Sequence, residues 1–464
     1  MAQVQGSKYE KFKIISANGK NSVDLGDNVY KEYGAPFRIL SIFFYENILS
    51  PYITGVITIQ STLDAASDPS DTQERRGSLH SSLPLEVGCR ILIKIKDTLG
   101  KGIDYTNALD PFKQLYVEEV KVLTKNASRE TVQLRVISKI GWTNNTKRVT
   151  AFYNNRISDS VRRIVRRELK MPTNMIKVDD SSNSYSFAGM TKRPFDLIAM
   201  LAKQSIPQNT ANPGYFAYET RSGFHFVSAD SMINKEPYEK TYWYDGGVPC
   251  HVYEEHADYK IATLTTEKDQ NLTSQIRSGV YSNKTVFFDP AAYKFTELDV
   301  SSENDKLFKD PKFSSLGTTP ETPQILVEDM KEGNVSHRVQ TAILNNGAEK
   351  ENVDVNNSPE LYYAAGSTRY NILFSQKHTI TIPCNTDLEA GDTLRLEIEK
   401  VSDNKEQGPD QKASGVYIIQ SLCHYFEPEK SVTSINLIRD SYGMHSSKNI
   451  KPVYEVIWIM IISG

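Results

Sequence analysis

The chain has 464 residues, enough for two to four domains with sizeable cores. Its 54 Lys and Arg against 57 Asp and Glu leave a formal charge of −3, which argues against a nonspecific nucleic-acid or membrane-surface binder. Hydrophobic residues at 39% and charged residues at 24% read as folded rather than disordered, and 25 Tyr and 18 Phe against three Trp favour a β-rich protein.

Residues 1–34 are polar, Gly/Asn-rich and without clear periodicity, so they read as an N-terminal arm. The arm lacks the apolar stretch of a secretory signal, and folding in a reducing cytoplasm is expected. From Phe37 the pattern changes. Phe37–Phe44 and Gly55–Gln60 are apolar and β-branched, with Ser50-Pro51 as a break, and residues 62–82 read as a Ser/Asp-rich surface loop. Three strand-like runs follow, Arg90–Lys96, Leu115–Leu123 and Glu130–Ile137, and together these segments predict an antiparallel unit.

A helical region comes next. Ile157, Val161, Ile164, Val165 and Leu169 fall on one helix face, and Ser158 or Asp159 can cap that helix. A second helix opens at Pro194 and runs Phe195–Lys203. Tyr215–Glu219 and Phe224–Ser228 flank a turn containing Gly223 and predict a hairpin. Residues 268–278 read as a short helix, Lys284–Phe288 and Tyr293–Leu298 as strands, and 300–362 mostly as linker. From Arg369 the chain returns to strands.

An internal repeat organises the whole. Leu85-Glu86-Val87-Gly88-Cys89-Arg90-Ile91-Leu92-Ile93-Lys94-Ile95 and Leu388-Glu389-Ala390-Gly391-Asp392-Thr393-Leu394-Arg395-Leu396-Glu397-Ile398 both read L-E-x-G-x-x-[IL]-x-[IL]-x-I. In each, a glycine able to take positive φ precedes an alternating strand. Tyr116–Val122 then matches Tyr417–Cys423, Thr131–Leu134 matches Thr433–Leu437, and the upstream apolar segments are Phe37–Phe44 and Tyr370–Ile382. The expected fold is mainly β with an α+β insertion, built on two related antiparallel β-barrels. The expected division is an arm (1–34), a first barrel (35–145), an α/β insertion and linker region (146–239 and 266–364), a second barrel (240–265 and 365–442) and an apolar tail (443–464). Two equivalent barrels per chain would place six around the axis of a three-fold ring, able to match a six-fold partner on one face and a three-fold partner on the other.

Chemical motifs are sparse. Cys89, Cys250, Cys384 and Cys423 have no CxxC spacing. Cys250, His251, Glu254, Glu255 and His256 form the densest group of potential metal ligands, but the spacing is not HExxH and on a strand the two histidines would face opposite sides. Gly246-Gly247 lacks a following Lys-Ser/Thr, no GxSxG is present, and Asp179-Asp180 sits in a Ser/Asn-rich stretch that reads as solvated loop. No catalytic, cofactor or metal residues are assigned. Two interface candidates remain. Arg162, Arg163, Arg166, Arg167 and Lys170 make one helix face basic, and Arg162 and Arg166 are the residues selected from it. The tail Val456, Ile457, Trp458, Ile459, Met460, Ile461 and Ile462 is apolar on both sides of a strand, which predicts docking on a neighbouring subunit or partner. It falls short of the ~20 residues needed to span a bilayer, so no membrane insertion is expected.

Four stretches resemble the baseplate central hub protein of T4-like contractile-tailed bacteriophages. They are Phe44–Gly55, Arg156–Val161 with Arg193–Asp196, Phe216–Thr220 with Gly223–Phe226, and Leu388–Asp392 with Ser414–Ile419. The resemblance implies a non-enzymatic protein whose two barrels are tube-like (Tudor-like). It further implies a homotrimeric ring with an open channel, located in the virion tail baseplate after assembly in the host cytoplasm. Such a ring joins the six-fold tail tube or tube-initiator proteins to a trimeric central spike protein, with a tape-measure protein as a further candidate partner. DNA passes through without specific binding. The alternatives are a baseplate-associated glycosidase, whose paired carboxylates would come from distant positions, and a carbohydrate-binding receptor protein with an exposed aromatic platform.

Overall fold

A computed structural model describes residues 8–24, 37–62, 66–67, 76–78, 85–97, 99–209, 212–245, 258–268, 271–290, 293–301, 314–317, 323–331, 338–343, 359–400 and 409–441. The first barrel is built from β1 (Lys8–Ile15), β2 (Ser22–Asp24), β3 (Phe37–Asn47), β4 (Thr54–Thr62), the short ladder β5 (Ala66–Ser67) with β6 (Arg76–Gly77), β7 (Arg90–Lys96), β8 (Ile103–Tyr105), β9 (Leu115–Lys125) and β10 (Arg129–Ile137). Ile91, Ile93 and Ile95 point into a core shared with Phe12, Ile57, Val117 and Leu134. The arm is part of this barrel, because β1 pairs antiparallel with β7 over its whole length. A bulge between Tyr9 and Lys11 breaks the period-two pattern, so Tyr9, Phe12 and Ile14 all reach the core without alternating from Tyr9 onward.

The insertion holds α1 (Lys139–Thr146), β11 (Phe152–Tyr153), α2 (Ile157–Arg167), β12 (Ile176–Val178), β13 (Phe187–Ala188), α3 (Pro194–Gln204), the hairpin β14 (Tyr215–Thr220) and β15 (Gly223–Ser228), and α4 (Ala229–Ile233). The five apolar residues that define the α2 stripe are all buried against α3 and the hairpin. The α2 cap differs from expectation: Arg156 is the N-cap and makes no side-chain cap bond, while Ser158 and Asp159 lie inside the first turn. Ser181 Oγ instead accepts from the Ser158 amide at 3.0 Å.

After β16 (Thr241–Tyr244) and β17 (Thr263–Lys268), the chain forms α5 (Leu272–Ser278), β18 (Ser282–Asp289), β19 (Lys294–Ser301), α6 (Gln324–Lys331), β20 (Arg338–Ile343) and α7 (Pro359–Leu373). The stretch read as linker therefore contributes two helices and a strand. β20 pairs parallel with β18, but its residues alternate only between exposed and half-exposed, which leaves a weak apolar signal. The segment Tyr370–Ile382, read as the apolar segment upstream of the second repeat, is the end of α7 followed by a separate strand. The second barrel is completed by β21 (Gln376–Pro383), β22 (Thr393–Ile398), β23 (Gly415–Phe426) and β24 (Ser431–Arg439), with β16 on β22 and β17 on β21.

Among the described residues, fourteen strands form one sheet that runs through both barrels. Its path is β17-β21-β24-β23-β3-β4-β10-β9-β7-β1-β2, so the barrels join where β23 pairs with β3. The molecule is mainly β with an α+β insertion, built on two related barrels.

Candidate functional site

The duplication is visible in individual hydrogen bonds. The Gly88 amide donates to Val117 O at 2.8 Å and the Gly391 amide to Ile419 O at 2.9 Å. The Val117 amide donates back to Cys89 O, and the Ile419 amide to Asp392 O. Both glycines have positive φ, +91° and +84°. Immediately after this turn contact, each copy carries a bulge: Glu118 lies outside the β9–β10 register and Gln420 outside the β23–β24 register. Beyond the bulge, Leu134 faces Val120 and Ile57, as Ile435 faces Leu422 and Ile380. Thus β9 corresponds to β23, β10 to β24, β4 to β21 and β3 to β17. This register corrects three sequence matches. Ile418, not Tyr417, is the counterpart of Tyr116, and Val132 corresponds to Thr433. The counterpart of Phe37–Phe44 is β17 rather than Tyr370–Ile382.

The seam between the barrels is a six-pair antiparallel ladder from Ser421 opposite Asn47 to Phe426 opposite Ile42. His424 and Phe44 are buried on its inner face. On its outer face Phe43 and Tyr425 stack with ring centroids 4.5 Å apart. A second tie comes from Asp97, whose Oδ2 accepts from the Thr386 amide at 2.7 Å while Oδ1 accepts from the Gly100 amide.

The insertion hairpin is clamped to both barrels by a buried polar cluster that sequence reading did not single out. Arg221, at the β14–β15 turn, donates through Nε to Glu46 Oε1 on β3 at 2.9 Å and through a terminal nitrogen to Leu388 O at 2.6 Å. Glu46 Oε2 accepts from the Ala390 amide at 3.1 Å. Glu219 accepts from the Ile53 amide and from Ser138, and Thr220 donates to Glu389 at 2.9 Å. Burial raises the Glu46 carboxyl to about 7, against the opposing pull of Arg221, and burial likewise raises Glu219 to about 7. Burial lowers the nearby His225 to about 4. These carboxylates hold backbone amides and one guanidinium between three parts of the fold, which is positioning chemistry. The only sequence signal for the cluster is Glu389 in the repeat motif.

Apart from the ring row of Tyr45, Phe43 and Tyr425, the outer face of the shared sheet is polar. A groove of about 290 Å³ on the first barrel is lined by Tyr45, Thr54, Val56, Glu119, Lys121, Gln133 and Arg135. Ser421, Ser434, Asn436 and Thr379 continue the polar character across the seam, with Thr379 donating to Asn436 at 2.7 Å. This sheet also has two open edges among the described residues. β9 pairs with β7 only at Leu115 and Tyr116, so from Glu118 to Lys125 its outer side meets no strand, and β17 has β21 on one side alone. Val122 and Leu123 are exposed on the open part of β9.

The two arginines selected from the sequence lie one turn apart on α2 but differ in their contacts. Arg162 is held by Asp159 at 2.9 Å, Asp180 at 2.6 Å and Val178 O at 2.8 Å. Arg166 is exposed on α2. Asp179 accepts from the Ser228 amide at 3.0 Å, so the acidic pair fastens this subdomain. The tail Val456–Ile462, the Cys250–His256 group and Gly246-Gly247 all lie outside the described residues. Among the described residues, no group of three or more His, Cys, Asp or Glu is arranged to hold a metal, and no helix is long and apolar enough to cross a membrane.

No family model and no curated relative matches the sequence. Solved structures do match the fold. The 43 kDa tail protein of prophage MuSo2 from Shewanella oneidensis aligns with a TM-score of 0.51 and 10% identity, covering 93% of this chain and 98% of that one. A tail protein from Neisseria meningitidis MC58 aligns with a TM-score of 0.51 and 10% identity, covering 94% and 97%. The chain shares its fold, nearly end to end, with these tail proteins.

Proposed function

We propose that the chain is a structural tail protein, the central hub of a contractile phage tail baseplate. In this reading three copies form a ring with pseudo-six-fold symmetry. One face of the ring meets the six-fold tail tube or its initiator proteins, and the other meets the trimeric central spike. DNA passes along the open axis without specific binding, beside a sheet face of neutral polar groups and paired charges. The observation that carries the reading is the repeated barrel: turn, bulge and strand register recur within one chain, and a continuous sheet joins the copies. A three-fold assembly of such chains presents six near-equivalent barrels. The full-length fold likeness to tail proteins supports the same reading, as does a buried polar cluster devoted to holding subdomains together.

Light scattering on a sizing column, across a concentration series, tests it. A mass of three protomers is expected. A protein that stays monomeric both alone and with a trimeric spike chain overturns the hub.

One observation favours a second reading, a carbohydrate-binding receptor protein. Tyr293 and Phe295 are exposed beside Phe288, with ring centroids 5.9 and 4.9 Å from it. A cluster of exposed rings suits a sugar face. Glycan binding lost in a Tyr293→Ala, Phe295→Ala variant supports this alternative, and unchanged binding removes it.

A further inference from the structure

The internal seam specifies what its unpaired equivalents would fit. Within the chain, β3 of the first barrel pairs with β23 of the second. The repeat-equivalents of these two edges are β17 and β9, and both are open among the described residues. The correspondence holds residue by residue. His424 faces Phe44 at the seam, and their equivalents are Val122 on β9 and Thr266 on β17. Tyr425 faces Phe43, and their equivalents are Thr124 and Thr265.

Burial shows the difference between the two situations. His424 and Phe44 are 0% and 2% exposed at the covered seam, whereas Val122 is 40% exposed and Thr266 is exposed. An open strand edge carrying Val122 and Leu123 is a template for another strand. The edge that fits it is present on every copy of this chain, because β17 already has the position on its barrel that β3 has on the other.

Resting on the ring reading above, we propose that β9 of one chain pairs antiparallel with β17 of the next. Val122 then lies opposite Thr266 and Thr124 opposite Thr265. The contact is head-to-tail, since the two edges differ, and it continues the sheet from chain to chain in the register of the internal seam. Leu123, bulged out of the β9–β10 register, and Glu267, skipped in the β17–β21 register, are the local departures from strict repetition.

Thr124→Cys combined with Thr265→Cys tests the register, with each single variant as control for the native cysteines. Both side chains are exposed, and neither position is part of the core. Mild oxidation of the assembled double variant should link more than half of the chains into dimers and trimers on a denaturing gel. An out-of-register pair, Thr124→Cys with Thr263→Cys, should link at least tenfold less. Independently of any substitution, amides of 119–125 and 263–267 should exchange at least tenfold more slowly in the assembled protein than in the dissociated chain. A three-protomer mass with no interchain link, with equal linking of both pairs, or with unchanged exchange at these strands overturns the seam and leaves the ring standing. Absence of any trimer, with or without the spike chain, overturns both.

Discussion

Gly88 and Gly391 make the same turn in unlike surroundings. A Cβ on Gly88 would stand 3.8 Å from the Ala17 Cβ, an ordinary van der Waals contact, whereas a Cβ on Gly391 would stand 2.0 Å from the Tyr218 hydroxyl. The strands that follow differ in the same sense. β23 passes from β22 to β3 at its bulge, and β9 leaves β7 at its own bulge and meets no further described strand on that side. The copies retain backbone register and diverge in what packs on it. The second copy packs the insertion on its turn and the seam on β23, whereas the equivalent edge of the first copy, β9, stays open.

The largest expected effect breaks the clamp that ties the insertion to both copies. Arg221→Ala leaves Glu46 buried without its guanidinium, and removal of one partner from a buried pair costs about 3–5 kcal/mol. Glu46 can escape by taking up a proton, so the loss should be greater at pH 8 than at pH 5. The contrast is an exposed ion pair on the first copy, Arg135 with Glu118 at 3.3 Å, and Arg135→Ala should cost less than ~1 kcal/mol. Denaturant unfolding of the two variants at both pH values measures the contrast, and equal losses would refute it.

The two glycines come next. Gly391→Ala combines positive φ with a collision and should destabilise by roughly 2–4 kcal/mol, and Gly88→Ala by about 1 kcal/mol from backbone conformation alone. Tyr218→Phe in the Gly391→Ala background should recover part of the loss. If the two alanine variants are equally stable, the equivalence of turns with unequal packing fails.

How much of this was legible from the sequence follows from face and period. The glycine turns and the alternating strands after them were readable because L-E-x-G fixes both a positive φ and the parity of Ile91 and Leu394. Matching Tyr116 to Tyr417 by identity slipped by one residue, and a one-residue slip moves every side chain to the other face. The bulges that shift register are invisible in composition. β1 escaped notice because its bulge breaks alternation, and β20 because neither of its faces is strongly apolar. The Glu46–Arg221–Glu389 cluster joins residues more than 160 positions apart, and no local spacing announces it.

Protonation should separate the clamp from the open edge. Glu219 has its folded value raised to about 7 by burial, above the value of an unfolded chain near 4.5. A raised carboxyl contributes stability that is complete below about 4.5 and is lost as pH rises through about 7. His225 acts in the opposite direction: lowered to about 4, it contributes stability above about 6.5 that is lost as pH falls through about 4. Glu46, also raised to about 7, acts in the same direction as Glu219, so on balance the parent protein should lose stability as pH rises between these limits. Glu219→Gln keeps an oxygen to accept from Ile53 and Ser138 but cannot ionise, so relative to the parent it should gain on the order of 2 kcal/mol between pH 5 and pH 8. A pH-independent difference would show that Glu219 does not titrate in this range.

The smallest effect concerns the α2 arginines, and it separates a paired charge from an exposed one. Arg162 is shared by Asp159 and Asp180, both half exposed or more, so Arg162→Ala should cost about 0.5–1 kcal/mol. Arg166→Ala should change stability by less than ~0.5 kcal/mol, as surface substitutions away from buried features do. Charge reversal then tests docking rather than folding. If the face meets an acidic partner, Arg166→Glu should weaken assembly with that partner while leaving the unfolding midpoint unchanged, and the weakening should shrink as salt is raised because exposed charges are screened. Unchanged assembly at low salt in the Arg162→Glu, Arg166→Glu double variant would leave the face as solvated surface, its charge serving only to hold α2 against the Asp179-Asp180 loop.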